Sequence, residues 1–301
     1  MEKIKEYIKK LRYIFIINKH SILVHLFIFI LSIISILIFS IFFDNTLPSA
    51  NDPVVIDEPK VVVEPHYENI SAAVMSESLA QYVQSLGGSY SISMVEISGD
   101  QRIVSYNDKQ PSTSASTYKL YVAYSVLKRI EEGLWNWSDN FLGGQDVSSC
   151  FDDMIVNSDN NCAEAFLSKI GGAAVITEAH SIGCYDIVFS SVNYAKATSS
   201  DLALFLTKLE KGQILNQQSS RDRLIDAMKR NVYREGIPAA SNGVVANKVG
   251  FIEAILNDAA IIYNPTGVYV LVIMTNHSSW EKIASITSKI EELRTQQVLV
   301  P

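Results

Sequence analysis

The chain has 301 residues, 48% of them hydrophobic, which is enough for one large folded domain or two small ones. Its net charge of −7, from 25 Lys and Arg against 32 Asp and Glu, argues against nucleic-acid binding. The five histidines are scattered without the spacing of metal ligands, so neither a metal nor another cofactor is predicted.

The N-terminal region predicts a membrane anchor. Residues 1–20 form a basic segment with six Lys or Arg against two Glu, and residues 21–43 form an almost wholly apolar run. A run of this length can cross a bilayer. Positive charge before it and acidic residues after it place residues 1–20 in the cytoplasm and the rest of the chain outside the membrane. A cleaved signal peptide is the alternative, but the run is long for one and no small-residue site follows it directly. We therefore expect a single-pass protein of the cell membrane.

The next segment, residues 44–67, predicts an extracytoplasmic linker. Four prolines are spaced along it among acids and short valine runs, which favours a semi-extended chain. The folded domain is predicted to occupy residues 68–301.

The first part of that domain predicts a helix, a hairpin and a second helix. Helical spacing covers Ser71–Ser85, and strand patterns cover Tyr90–Ile97 and Arg102–Tyr106 around a Gly-Asp turn. A polar loop then leads into an apolar helical run over Tyr118–Glu132.

The middle of the domain reads as helical. Leu134–Ser149 is predicted to be a loop, and the helices that follow are Phe151–Asn157, Cys162–Lys169, Ala173–Ser181, Leu202–Leu209 and Leu215–Arg230.

The pattern returns to strands over Val244–Val249, Ala259–Tyr263 and Val268–Thr275, and Trp280–Thr295 closes the chain as a helix. Strands at both ends and helices between them predict an α/β fold with two lobes. One lobe is an antiparallel sheet built from both termini and flanked by helices, and the other is helical. A cleft between the lobes is a common position for a site.

Three cysteines, Cys150, Cys162 and Cys184, follow the predicted span. A disulfide is permitted outside the membrane, but the spacing does not choose a pair. The expectation is three free, buried thiols.

Ser116 and Lys119 open the helical run after the polar loop, three residues apart and on one helix face. A serine hydroxyl needs an adjacent base to act as a nucleophile, and a desolvated lysine can serve. The pattern S-x-x-K is common by chance, and it recurs at Ser125–Lys128 and Ser279–Lys282.

Two further fragments fall where a cleft site needs them. Ser158-Asp159-Asn160 lies at a junction between helices, where the alternative interpretation is an ordinary N-cap. Lys248-Val249-Gly250 places a lysine in an apolar strand, where the alternative is a side chain directed to solvent.

S-x-x-K, S-D-N and K-V-G in place of K-T-G, in this order, resemble the signature of class A β-lactamases and penicillin-binding proteins. The similarity extends over roughly residues 70–297, including the stretches 104–107, 157–163, 198–202 and 236–238. It implies a β-lactamase-like fold and an active-site serine.

The resemblance implies a role for each motif residue. Ser116 is the acylated nucleophile and Lys119 accepts its proton. Ser158 passes a proton to the leaving nitrogen, Asn160 binds the amide of the substrate, and Lys248 attracts the substrate carboxylate.

The resemblance also implies an oxyanion hole made by the backbone N–H groups of Ser116 and Phe251. Gly250 is expected to let a ligand approach the backbone closely. Arg234 is the nearest upstream arginine that could help to hold the carboxylate.

The sequence departs from the family pattern in two places. Val249 lacks the hydroxyl that the third motif usually offers the substrate carboxylate. Class A enzymes also carry a deacylating Glu in a loop that here runs from Cys184 to Ala197, where Asp186 is the sole carboxylate. A long-lived acyl-enzyme is therefore expected.

The resulting hypothesis is a membrane-anchored serine hydrolase that forms an acyl-enzyme with β-lactams or related cell-wall peptides. A slow-deacylating penicillin-binding or DD-peptidase-like protein is one alternative. A non-catalytic cell-wall-binding domain on the same fold is another, although the five retained motif residues favour an enzyme.

Overall fold

The structure, a computed structural model, describes residues 66–191 and 194–300. The predicted basic segment, the predicted span and most of the predicted linker lie outside these residues. Within them, no helix has both the length and the apolar character needed to cross a membrane.

The described part of the chain contains twelve strands, nine α-helices and one short 3₁₀ helix. The strands are β1 His66–Asn69, β2 Ser89–Glu96, β3 Ile103–Tyr106, β4 Ser112–Thr113, β5 Asn140–Leu142, β6 Gln145–Asp146, β7 Val188–Ser191, β8 Tyr194–Ala197, β9 Val244–Ile252, β10 Ile255–Asn264, β11 Gly267–Asn276 and β12 Gln297–Val300. The helices are α1 Ala72–Ser85, the 3₁₀ helix Ala115–Tyr118, α2 Lys119–Glu131, α3 Val147–Val156, α4 Asn160–Ile170, α5 Gly172–Ser181, α6 Ser199–Glu210, α7 Gln218–Lys229, α8 Ile237–Ala240 and α9 Trp280–Thr295.

A five-stranded antiparallel sheet in the order β3-β2-β11-β10-β9 joins the two ends of the domain. The C-terminal strands are joined by two-residue hairpins, so their register is fixed by the turns. This is the sheet predicted from both termini. Strand β1 pairs with β12 in a separate two-stranded sheet, so residues 66 and 67, predicted as the end of the linker, belong to a strand.

Alternating side chains along the sheet belong to two hydrophobic cores. In β10, Ala260 and Ile262 pack with residues of α1 and α9, whereas Ala259 and Ile261 pack with the helical lobe. Because side chains on successive strand residues point to opposite faces, one strand serves both cores.

The helical lobe is built around α2, which is buried on all sides from Lys119 to Leu127. Tyr121 of this helix meets Phe205 of α6 edge to face at 5.3 Å between ring centroids. A helix buried all round is a rigid support for the residues at its N-terminus.

Two stretches differ from the sequence prediction. The predicted loop over Leu134–Ser149 contains the β5–β6 hairpin and the first turn of α3, which Asp146 caps by accepting a hydrogen bond from Ser149 N at 2.7 Å. The stretch after α5 forms the β7–β8 hairpin, and β4 adds to it as a third strand.

The expectation of three free thiols is wrong for two of them. Cys150 of α3 and Cys162 of α4 form a disulfide with 5.3 Å between their Cα atoms, and Cys184 is free and buried. The turn at residues 157–159 lets α3 and α4 pack side by side, and this brings together two cysteines that are 12 residues apart.

Candidate active site

The turn that carries Ser116 is held by hydrogen bonds from two strands. Ser114 N donates to Ala195 O of β8 at 2.9 Å. Asn257 of β10, fully buried, donates from Nδ2 to the carbonyls of residues 113 and 114 at 2.9 and 3.0 Å. Ala115 has a φ of +44°, a strained value for a non-glycine residue. The serine therefore lies at the end of a fixed, unusual turn.

Gly250 of β9 packs directly against this turn. A Cβ atom at Gly250 would lie 2.6 Å from Ser114 O and 2.7 Å from Ser116 N. The close approach expected at Gly250 is therefore one between two parts of the protein itself. It brings the edge strand of the sheet against the backbone of the candidate nucleophile.

Lys119 lies at the first position of α2 and is fully buried. Its Nζ donates to Ser158 O at 2.6 Å and to Asn160 Oδ1 at 2.7 Å. Burial lowers the pKa of Lys119 to about 8, against the opposing charges of Asp159 and Glu164. A lysine with this pKa can take up a proton near neutral pH.

The S-D-N segment was considered either as a helix N-cap or as part of a site, and its three side chains divide between these two roles. Asp159 is the N-cap of α4 and accepts a hydrogen bond from Cys162 N at 2.7 Å. Ser158, with a φ of +59°, and Asn160 turn toward the two lysines. The capping interpretation thus holds for the central residue only.

Lys248 is buried inside the cleft and does not point to solvent. Its Nζ donates to Ser158 Oγ at 2.8 Å and to Val249 O at 2.9 Å. Burial, followed by repulsion from Lys119, places the pKa of Lys248 well below that of an ordinary lysine, and Asp258 opposes this shift. Ser158 is thereby linked to both lysines, through its carbonyl to one and through its hydroxyl to the other.

The register of the β9–β10 hairpin directs the N–H of Phe251 away from the sheet. Ile252 and Ile255 close the two-residue turn as a hydrogen-bonded pair, and such pairs recur at every second residue. Phe251 falls between them on β9, which is an edge strand. Its N–H therefore points out of the sheet, close to where Gly250 meets Ser116 N.

Arg234 is engaged beside the same strand. Its guanidinium donates to Val245 O at 3.1 Å and to Asn247 Oδ1 at 2.7 Å. Burial lowers its pKa, and Asp258 opposes the shift. Arg234 therefore lies along β9 upstream of Lys248, and its role toward a substrate carboxylate stays a prediction.

Sequence reasoning missed two buried polar residues behind the site, Asn257 and Asp258. Asp258 accepts hydrogen bonds from Ile237 N at 2.9 Å and from Asn247 Nδ2 at 3.0 Å, and burial raises its pKa to about 6. The available signal was the pair Asn-Asp inside an otherwise apolar strand.

The two departures from the family pattern have clear positions. Val249 is only 1% exposed, and by strand alternation its side chain leaves the face that Lys248 and Gly250 present to the site. Asp186 accepts a hydrogen bond from Thr198 Oγ1 at 3.2 Å, beside the N-terminus of α6. The one carboxylate in the expected loop is thus engaged in holding that loop to a helix.

Comparison with known proteins gives a family match over most of the domain. A model described as the beta-lactamase enzyme family matches residues 75–293. No curated protein matches the chain.

Solved structures share the fold at low sequence identity. PBP-A is 20% identical with a TM-score of 0.69, over 74% of this chain and 97% of PBP-A. A β-lactamase from Sphaerobacter thermophilus is 18% identical with a TM-score of 0.67, over 73% of this chain and 96% of that one. A variant of PBP-A in an acyl-enzyme complex with penicillin G is also 20% identical, with a TM-score of 0.69, over 74% of this chain and 97% of that one.

Proposed function

Because the chain belongs to the beta-lactamase enzyme family, we propose that it is an active-site-serine hydrolase that forms an acyl-enzyme through Ser116. Its substrates are β-lactams or related cell-wall peptides, in which a nucleophile opens an amide or lactam bond. The observation that carries this proposal is the convergence of Lys119 and Lys248 on Ser158, beside the turn that presents Ser116.

In the proposed reaction, Lys119 accepts the proton of Ser116 as its hydroxyl attacks the carbonyl carbon. The two residues share a helix face three positions apart, and a nucleophile and its base often come into full contact only when substrate binds. The proton then reaches the leaving nitrogen through Ser158. Lys248, hydrogen-bonded to the Ser158 hydroxyl, assists that transfer and attracts a substrate carboxylate.

The negative charge that develops on the carbonyl oxygen is placed against the N–H groups of Ser116 and Phe251. Donors of this kind contribute about 2.7–4 kcal/mol each to the rate of acyl transfer. Asn160 keeps the substrate amide in register while its own oxygen holds Lys119.

The acyl-enzyme of PBP-A with penicillin G supports the choice of probe for this chain. We expect a fluorescent penicillin to label the protein with one adduct per chain by intact mass, located on Ser116 by peptide mapping. The variant Ser116→Ala should give no adduct while keeping the melting temperature within a few degrees. Equal labelling of the wild type and Ser116→Ala would overturn the assignment of the nucleophile.

A non-catalytic cell-wall-binding domain is the second candidate. It is motivated by Val249, which removes a hydroxyl from the third motif. This candidate requires that peptidoglycan fragments bind and that binding be unchanged in Ser116→Ala, with no adduct from any penicillin. Two buried lysines with lowered pKa favour the enzyme, since a binding surface has no need of them.

We further propose that the domain lies outside the cytoplasm and is anchored by residues 21–43. The basic segment before that run and the acidic residues after it support this orientation. A disulfide in the folded domain is compatible with an oxidising compartment.

A further inference from the structure

Three aromatic side chains form a cluster at the edge of the sheet, beside the turn that carries Ser116. Tyr233 and Phe251 meet edge to face with 5.2 Å between their ring centroids, and Phe251 meets Trp280 in the same way at 6.3 Å. Phe251 is 45% exposed, and the other two rings are half-buried. Grouped aromatic rings that reach the surface next to a site are typical of surfaces that bind a ligand.

The backbone of Phe251 ties this aromatic cluster to the nucleophile. A Cβ atom on the preceding residue, Gly250, would lie 2.7 Å from Ser116 N, and the Cα atoms of consecutive residues are only about 3.8 Å apart. A substrate carbonyl held by the N–H groups of Ser116 and Phe251 is therefore next to the Phe251 side chain. The groups bonded to that carbonyl lie within reach of the ring.

Pairing in the sheet shows on which side of β9 the ring lies. Leu256 is the register partner of Phe251, and it packs on the core shared with α1 and α9, as Trp280 does. Lys248 and Gly250 face the opposite side, because side chains alternate along a strand. The aromatic cluster therefore covers the edge of β9 on the side of α9.

The support of the aromatic cluster is fixed. Tyr233 O accepts a hydrogen bond from Nδ2 of the buried Asn247 at 3.3 Å. Trp280 packs against the same segment, since a Cβ atom at Gly236 would lie 3.2 Å from Trp280 Cε3. Rings held in place before a ligand arrives lose little conformational entropy when it binds.

The neighbours of the aromatic cluster indicate which part of a substrate meets it. In the proposed function, Asn160 of α4 holds the amide on the acyl side, whereas the leaving side meets Ser158 and Lys248. Lys248 belongs to β9, and Arg234, which follows Tyr233, donates to a carbonyl of the same strand. The aromatic cluster shares this strand with the groups of the leaving side.

We propose that Tyr233, Phe251 and Trp280 form a subsite for an apolar, aromatic group on the leaving side of the scissile bond. The proposal rests on the function proposed above and adds a substrate preference to it. The chain reacts faster with substrates that carry such a group than with substrates that carry a small one there.

The test uses two cephalosporins that share a thienylacetyl acyl group. One carries a dinitrostyryl group on the ring of the leaving side, and the other carries an acetoxymethyl group. The rate constant for acylation is measured for both by quenched-flow intact mass on the full chain and on Tyr233→Leu and Trp280→Leu. The matched control is Tyr67→Leu, which removes an exposed ring from β1.

We expect the ratio of the two rate constants, dinitrostyryl over acetoxymethyl, to fall by roughly 3- to 10-fold in each of the two Leu variants of the aromatic cluster, the size of a typical contact between aromatic rings. Tyr67→Leu should keep the ratio of the wild type. Tyr233→Phe should also keep it, because the ring remains. Melting temperatures show that each variant is folded.

Two results would overturn this proposal and leave the proposed function standing. One is a ratio that stays unchanged in both Leu variants of the aromatic cluster, even if both rate constants fall, since that result gives the rings a structural role. The other comes from two penicillins with the same leaving ring and either a phenylacetyl or an acetyl acyl group. If their ratio falls as much as that of the cephalosporins, the aromatic cluster does not select the leaving side. Absence of any adduct on the wild type refutes the proposed function, and this proposal with it.

Discussion

Lys119 is placed so that it loses its proton far more readily than an ordinary lysine. It is fully buried, and only Asp159 and Glu164 oppose the desolvation that lowers its pKa to about 8. The neutral form is the base, so the proposed acylation needs the deprotonated lysine. The rate constant for acylation should therefore rise with pH between about 6.5 and 9, with a midpoint near 8, whereas an unperturbed lysine would put the midpoint near 10.5. Stopped-flow measurement with a chromogenic penicillin across this range checks the prediction.

Lys119→Arg is the matching variant, because a guanidinium keeps the charge but does not lose its proton in this range. We expect its acylation rate to fall by roughly 10²–10⁴, as for loss of a general base, and to be flat with pH. A wild-type rate that is flat between pH 6.5 and 9 contradicts the assignment of Lys119 as the base.

The residues of the site were predictable to different degrees. Ser116, Lys119, Ser158 and Lys248 carry chemistry in their own side chains, and the order of their motifs was enough to predict that they share a cleft. Gly250 was expected to make room for a ligand, but the sequence does not specify which backbone approaches it. The role of Asn257 depends on which strand lies against the Ser116 turn, and only the tertiary structure supplies that.

At the scale of elements, the disulfide joins the two helices on either side of the S-D-N segment. It closes a loop of 12 residues that includes Ser158, Asp159 and Asn160. Loops of this size give about 2–4 kcal/mol of stabilisation when they are crosslinked. The double variant Cys150→Ser/Cys162→Ser should therefore unfold at a lower urea concentration than the oxidised wild type, with the midpoint lowered by that free energy divided by the m-value.

A thiol reductant supplies the control for this prediction. It should lower the urea midpoint of the wild type toward that of the double variant and leave the double variant unchanged, since Cys184 is then its only thiol. Alkylation of the unfolded wild type should count one free thiol before reduction and three after it. Three free thiols in the oxidised protein would contradict the pairing.

Elements with a strong period were predicted well, and short paired strands were not. The helix over Trp280–Thr295 and the strands of the C-terminal half have long apolar patterns and clear turns, and the structure has them within a few residues. Strands β4, β7 and β8 are two to four residues long and are held by pairing with one another. Because such strands owe their structure to partners distant in sequence, no local pattern identifies them.

At the scale of the whole molecule, the two ends of the domain meet. Strand β2 lies beside β11 in the central sheet, and β1 pairs with β12, so residues near position 66 lie beside residues near position 300. The groups proposed for catalysis come from both lobes. Ser116, Lys119 and Ser158 belong to the helical lobe and its edge, while Lys248 and Phe251 belong to the sheet. Site formation therefore requires the complete domain, because neither lobe holds the oxyanion hole and the lysine pair alone.

Because the two ends of the domain pair with each other, the domain is expected to be independent of residues 1–65. Pro65–Pro301 forms one compact unit by its internal contacts, so residues 66–301 should fold alone, remain in solution and react with a fluorescent penicillin at the rate of the full chain.

The full chain should instead stay with the membrane fraction through washes with high salt and with alkaline carbonate. An apolar run of more than 20 residues inserts through the hydrophobic effect, and salt does not weaken that effect. A peripheral attachment through the basic residues 1–20 would be released by salt, since screening acts on charge. Protease added to intact cells or spheroplasts should remove the penicillin-labelled domain and spare the N-terminal segment. If expression of the full chain gives a soluble product that begins after residue 43, the run is a cleaved signal peptide. Labelling that needs residues 1–65 would show that the site is not complete within the folded domain.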